Sequence, residues 1–220
     1  MSWDPIWEDI HASKEWGKYP TEELIRFVAR HYYNWQPRNK TRFLDLGCGN
    51  GSATWYLCRE GFSVSAIDGS QTAIVKLEKR LRSEGLSTEL RTADAAELPY
   101  EDDCFDCIVE LACLMHNDTD NTHKILKEAH RVLKQGGRFF SYTPQTGSWG
   151  DGIGEPAGRN THKDAPEGPF AHMGVVRFSA LEDVEEIYSP YFRLSVESVE
   201  RFMTDRRNLA AFLVVTGLKK

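Results

Sequence analysis

Residues 43–51 read Phe-Leu-Asp-Leu-Gly-Cys-Gly-Asn-Gly, a short apolar run that carries one carboxylate and ends in three glycines at alternate positions. Leu44 and Leu46 are spaced for one face of a buried strand. Gly47, Gly49 and Gly51 permit a turn that takes positive φ and presses its backbone against a ligand with no Cβ in between. The run 52–60 follows with helical spacing, Ala53, Tyr56 and Leu57 along one face, so its first amides point into the same turn. Strand, glycine turn and helix N-terminus together form a cradle, although a tight strand-to-helix connection also needs glycine with no ligand present. Asp45 bears on which ligand. The turn is G-x-G-x-G, not the dinucleotide fingerprint G-x-G-x-x-G, and a carboxylate in its approach repels a pyrophosphate while suiting a ligand's ammonium group.

Other residues able to do chemistry fall where strands should end. Asp68 closes a second strand 17 residues past Gly51, where its two oxygens can accept from both hydroxyls of a ribose. The alternative is a cap on the helix that follows, and both roles are compatible. Asp94 follows a third strand, and His116 follows a fourth in Glu110-Leu-Ala-Cys-Leu-Met-His116. His172 and Arg177 stand at the end of a long irregular segment, with His162 further back. The histidines are candidate general bases. The planar fork of Arg177 suits a carboxylate or phosphate, against the alternative of a surface ion pair with Glu182 or Asp183. Cys104 and Cys107 form a C-x-x-C, but Cys107 falls inside the fourth strand and no second ligand pair completes a zinc site, so no metal is expected.

The elements that must position these residues alternate. Strands are expected at 62–67, 88–92, 105–110 and 138–143, and helices at 70–82 (Ile74, Leu77 and Leu81 inward) and 121–133 (Ile125, Leu126, Ala129, Val132 and Leu133 inward). That rhythm implies α/β architecture with a doubly wound, mostly parallel sheet and helices on both faces, whose ligands bind at the carboxyl ends of the strands. Residues 1–40 form an aromatic-rich N-terminal helical cap, with a helix at 21–33 after Pro20. Residues 144–176 hold seven glycines and four prolines, show neither helical nor strand period, and are too long for an idle connection. Order returns with a helix at 179–188, Ser179 and Glu182 forming a capping box, and a hairpin of strands near 192–196 and 208–216 joined at 202–207.

With 220 residues the chain is expected to be one domain. A net charge of −6 argues against a large nucleic-acid footprint. No apolar run approaches the roughly 20 residues of a membrane helix, and residues 1–8 have neither the basic flank nor the apolar core of a signal peptide. Five cysteines, an odd number, fit a reducing compartment, so the cytoplasm is the expected location. Oligomeric state is left open.

Five segments in order carry a resemblance: Leu44-Asp-Leu-Gly-Cys-Gly-Asn-Gly51, Ala66-Ile-Asp-Gly-Ser70, Ala93-Asp-Ala-Ala-Glu-Leu-Pro99, Phe105-Asp-Cys-Ile-Val109 and Leu133-Lys-Gln-Gly-Gly-Arg-Phe139. Together they resemble the class I S-adenosylmethionine-dependent methyltransferases. The resemblance implies seven strands in the order 3-2-1-4-5-7-6 with an antiparallel last strand, and S-adenosyl-L-methionine as cofactor. It assigns the cofactor to Asp45, Gly47, Cys48, Gly49 and Gly51, to Asp68, Gly69 and Ser70, to Asp94 and Ala95 at the adenine, and to Leu111. Tyr19 is the candidate contact from an N-terminal segment that closes over it. His116 and His172 are expected to face the methyl group from opposite sides, and Trp149, His162 and Arg177 to bind substrate beneath a lid-like insertion at 144–176. The acceptor is expected to be a small molecule, a sugar or carboxylic metabolite, with O-methylation favoured over N-methylation. A cofactor-binding regulatory module without transfer activity is the alternative, and a nicotinamide-dependent oxidoreductase a more distant one.

Overall fold

Short strands whose side chains are buried on both faces need a helix on either side, and the chain supplies them in turn. A computed structural model describes residues 3–203 and 206–220. Expectations that fall on Met1 and Ser2, at the start of the chain, and on Thr204 and Asp205, in the 202–207 connection, lie outside the described residues. The strands β1 (Arg42–Leu46), β2 (Ser63–Asp68), β3 (Glu89–Thr92), β4 (Phe105–Leu111) and β5 (Leu133–Pro144) run parallel, and the last pair, β9 (Phe192–Met203) and β10 (Asn208–Lys219), is antiparallel. Their order across the sheet is β3-β2-β1-β4-β5-β10-β9. With the last two strands counted sixth and seventh, that is the expected 3-2-1-4-5-7-6.

Helices α2 (Glu22–Tyr32), α3 (Ser52–Arg59) and α4 (Gln71–Ser83) cover one face, where Phe27, Tyr32, Phe43, Leu57 and Leu77 share a core. Helices α5 (Thr119–Val132) and α6 (Leu181–Tyr188) cover the other, packing Ile125, Leu126, Val184 and Tyr188 on Leu44, Leu46 and Ile108. Full burial of one such side chain contributes roughly 1.5–3 kcal/mol, so two continuous cores hold the sheet rigid. The inward residues expected of α4 and α5 are all buried. Among the described residues no helix is long and apolar enough to cross a membrane.

Four details depart from the sequence reading. Residues Ile6–Ser13 form a further helix, α1. It is held by Glu8, which accepts from the N–H of Gln71 at 2.7 Å and from the Ser70 hydroxyl at 3.1 Å, a carboxylate placed on the N-terminus of α4 where the helix dipole favours it. Lys76 ties the other end, donating to the carbonyl of His11 at 2.6 Å. The 144–176 segment is not structureless: β6 (Glu155–Gly158), β7 (Thr161–Lys163) and β8 (Val175–Arg177) make a small antiparallel sheet, in strands too short to show a period. The cap of α6 is Ala180, not Ser179, with Asp183 accepting from its N–H at 2.9 Å; Ser179 is drawn instead into a parallel bridge with Gln145, its N–H donating to the carbonyl of Pro144 at 2.9 Å. Finally, β5 begins at Leu133, five residues earlier than expected, with an irregularity in its pairing to β4 between Phe105 and Cys107.

Candidate functional site

The carboxyl ends of β1, β2 and β4 open into one pocket of about 210 Å³. Gly47, Gly49 and Gly51 have φ of 66°, 49° and 78°, which a side chain disfavours. The space is also taken: a Cβ on Gly47 would lie 2.2 Å from Cys113 Sγ, and one on Gly51 would lie 2.1 Å from Leu77 Cδ1. Gly47→Ala is therefore expected to cost about 1–2 kcal/mol from the backbone alone and more from the Cys113 overlap. Thermal melting checks this, and an unaltered melting temperature would show that the turn relaxes freely.

Two carboxyl groups hold this turn in place. Asp45 is buried, and its Oδ2 accepts from the N–H of Thr54 at 2.9 Å and from its hydroxyl at 2.6 Å. Burial pushes its pKa up to about 7 against those two bonds. Asp68 laces the end of β2 to the turn, Oδ2 accepting from Gly49 N–H and Oδ1 from Ser70 N–H, each at 2.8 Å. Burial raises its pKa as well, opposed by the same amides. Both Asp45 and Asp68 line the pocket, with Cys48, Gly69, Ala95 and Leu111.

The roof comes from the N-terminal segment. Trp3, Trp7, His11 and Trp16 line the pocket, and a Cβ on Gly69 would fall 2.5 Å from the Trp3 ring, one on Gly49 3.2 Å from His11 Cε1. The sequence reading assigned none of these four to the site. Two of them, Trp7 and His11, are four residues apart on one face of α1. Among the described residues Trp16 Nε1 is buried without a hydrogen-bond partner, and a buried donor of that kind calls for one; the His11 ring interacts with the side chain of Asn50. Burial lowers the His11 pKa, opposed by the charge of Asp68.

Beyond β4 the chain makes a single turn, Leu114–His116. His116 lines the pocket with its ring 4.5 Å from that of Trp7, and its Nδ1 is 2.7 Å from the carbonyl of Val175. A carbonyl can only accept, so Nδ1 carries the proton and Nε2 is the basic nitrogen. Burial pushes the pKa down to about 4, opposed by that bond. Phe170 and Met173, from the segment ahead of β8, complete the wall.

The remaining expected residues are not brought to the pocket. Tyr19 is 70% exposed and packs edge-on against Trp55, the N-terminal lining of the pocket ending at Gly17. Ser70 is buried beneath Glu8 as the cap of α4, accepting from Ala73 N–H at 3.1 Å. Asp94 accepts from Ala96 N–H at 2.9 Å, while its neighbours Ala93 and Ala95 face the pocket. His172 is exposed in the left-handed region, φ 60°, which leaves Met173 as the inward residue. Trp149 is held at the hairpin, its N–H on Leu209 O at 2.6 Å, and His162 lies in β7 with Nε2 3.7 Å from Asp151. Arg177 is buried and donates to Asn117 O, Thr122 Oγ1 and Leu114 O at 3.0, 2.9 and 3.3 Å. It neither lines the pocket nor pairs with Glu182 or Asp183. No group of His, Cys, Asp and Glu among the described residues is placed to hold a metal ion.

Comparison with known proteins agrees with this geometry. A methyltransferase-domain family model matches residues 43–137. The chain is 32% identical over 175 residues to a sarcosine/dimethylglycine N-methyltransferase of Aphanothece halophytica, covering 73% of this chain and 60% of that one. It is 30% identical over 182 residues to the 27-O-demethylrifamycin SV methyltransferase of Amycolatopsis mediterranei, covering 81% and 61%. It thus spans about three-fifths of the length of these relatives. A solved S-adenosylmethionine-dependent methyltransferase of Methanosarcina mazei shares the fold at a TM-score of 0.70 and 22% identity, over 87% of this chain and 96% of that one. The pocket fits the group those proteins imply, with the turn closely packed at its glycines, a two-oxygen acceptor at Asp68, and, among the described residues, a buried donor without a partner at Trp16 Nε1. The chain thus carries a methyltransferase domain over residues 43–137, in a fold shared with a solved S-adenosylmethionine-dependent methyltransferase, and its pocket fits S-adenosyl-L-methionine as cofactor.

Proposed function

We propose that the chain methylates a hydroxyl of a small neutral acceptor, with His116 as the base. When bound, the cofactor supplies an electrophilic methyl group on a sulfur that already carries a positive charge. The glycine turn admits it closely, Asp68 accepts from its ribose, and Asp45, with one oxygen taken by Thr54, offers the other to its ammonium group. His116 Nε2 would take the proton of an acceptor hydroxyl whose oxygen receives the methyl group that the bound cofactor would supply, S-adenosylhomocysteine being the leaving group. The observation that carries this reading is the Nδ1–H bond of His116 to Val175, which fixes Nε2 as an acceptor at the pocket wall.

The acceptor class follows from the walls. Trp7, Phe170 and Met173 are apolar, and the charged residues lining the pocket, among those described, are Asp4, Asp45 and Asp68. Acidic groups repel a carboxylate, which favours a sugar-like hydroxyl over a carboxylic metabolite. The insertion and the N-terminal segment together act as the lid that excludes water, and the five free cysteines fit a reducing, cytoplasmic setting. N-methylation is the second reading, favoured by the likeness to the sarcosine/dimethylglycine enzyme. Labelled cofactor is offered with neutral polyols and phenols, their carboxylated analogues, and secondary amines. Methyl ethers are the expected products. A methylated amine would replace the reading by the second, and turnover of nothing would return the cofactor-binding module.

A further inference from the structure

We propose that Arg177 and Glu110 are positioning residues, which grip residues 112–117 from opposite chemical sides and thereby set where His116 stands in the pocket. The inference rests on His116 as the base of the reaction proposed above. Residues 112–117 belong neither to the sheet nor to a long helix, yet Ala112, Cys113, His116 and Asn117 all line the pocket. Ala112 has a φ of 60°, a conformation that disfavours a residue with a Cβ. Something outside the segment must hold it.

Glu110, fully buried at the end of β4, takes the segment by its donors: Oε2 accepts from the N–H of Cys113 at 2.9 Å and of Leu114 at 3.3 Å, while Oε1 is held by the Ser141 hydroxyl. Arg177, at the end of β8, takes it by its acceptors, the carbonyls of Leu114 and Asn117, and extends to Thr122 at the start of α5. Leu114 is thus bound through its N–H by one group and through its C=O by the other. Two residues before Arg177, Val175 offers the carbonyl that fixes the His116 ring. One three-residue strand of the insertion therefore sets both the tautomer of the base and the path of the backbone that carries it.

The energetics favour a positional role over a stabilising one. A guanidinium that is 4% exposed and donates to two carbonyls and a hydroxyl is costly to desolvate. Well-packed apolar residues generally stabilise such a place as well or better. What apolar residues cannot do is specify the direction of two backbone carbonyls at once. The rigid fork of arginine can, and lysine, with a single point charge, cannot.

The test uses the full chain, labelled with ¹⁵N at histidine and saturated with S-adenosylhomocysteine. In the parent, His116 is expected as a single signal set with Nδ1 protonated. In Arg177→Gln the two ring signals are expected to move towards each other as the tautomers mix, with S-adenosylhomocysteine affinity at the parent value; Arg177→Lys is expected to fall between. A folded Arg177→Gln whose His116 signals keep the parent positions overturns the proposal. Should Arg177→Gln not fold, Arg177→Lys and Glu110→Gln decide in its place: a shift in both supports the clamp, and parent signals in either overturn it. If the signals move as expected but His116→Ala turns over the hydroxyl acceptors at the parent rate, the base reading fails while the clamp stands.

Discussion

Replacing His116 with alanine is expected to slow methyl transfer to a hydroxyl acceptor by about 10²–10⁴-fold, the usual contribution of a positioned general base. Cofactor affinity is expected to stay at the parent value, because the cradle residues Asp45, Gly47, Gly49 and Asp68 belong to other elements. The pH dependence follows from the lowered pKa. A ring that titrates at about 4 is in its basic form throughout the neutral range, so the acid limb due to this group lies near pH 4 and not near 6.5. Stability shows the opposite side of the same shift. The unfolded chain takes up the His116 proton as pH falls through about 6.5, and the folded chain only near 4, so stability is lost between those values, by on the order of 3 kcal/mol. His116→Ala is expected to flatten that part of the profile. Single-turnover rates with saturating cofactor, with melting temperatures from pH 7 to 4, measure both. A variant that transfers at the parent rate would remove His116 from the chemistry.

Asp68→Asn is expected to weaken cofactor binding by roughly 10- to 150-fold, equivalent to about 1.5–3 kcal/mol for lost charge-assisted hydrogen bonds. Each Asp68 oxygen already accepts one backbone N–H, from Gly49 or Ser70, and keeps a second lone pair for a ribose hydroxyl. An asparagine amide must turn its NH₂ towards one of those N–H donors, so the variant loses an acceptor for the turn as well as one for the ligand. Calorimetric titration with S-adenosylhomocysteine, paired with thermal melting, separates the two effects. A lower melting temperature with unchanged affinity would show that Asp68 serves the turn alone.

The parts of this site that the sequence disclosed are those where chemistry and backbone geometry coincide. Asp45 and Asp68 lie at the ends of buried strands of five and six residues, and the three glycines follow the first, so the period that reveals the strand also locates its end. The rest was hidden for identifiable reasons. Helix α1 has eight residues and begins after Pro5, too short for its period to stand out among the scattered aromatics of residues 1–40, so Tyr19 was chosen where Trp3, Trp7, His11 and Trp16 do the covering. In the irregular segment a shift of one residue exchanges inside for outside: His172 is exposed and Met173 is 3% exposed. Arg177 was read as a ligand for an anion because its fork suits one. Its actual partners, Leu114, Asn117 and Thr122, lie more than fifty residues away in the chain, and no local pattern points to them.

The docking of α1 has a bearing on how the enzyme would be paced. Trp3 rests on Gly69 and His11 on Gly49, the two turns nearest the cofactor, while Glu8 and Lys76 bind the same helix to α4. A cofactor held in the glycine cradle would lie beneath those rings, and its exit would draw on the hydrogen bonds between Glu8 and residues Ser70 and Gln71. Turnover would then be paced by the lifting of α1 wherever release of the by-product is slower than the bond-making step.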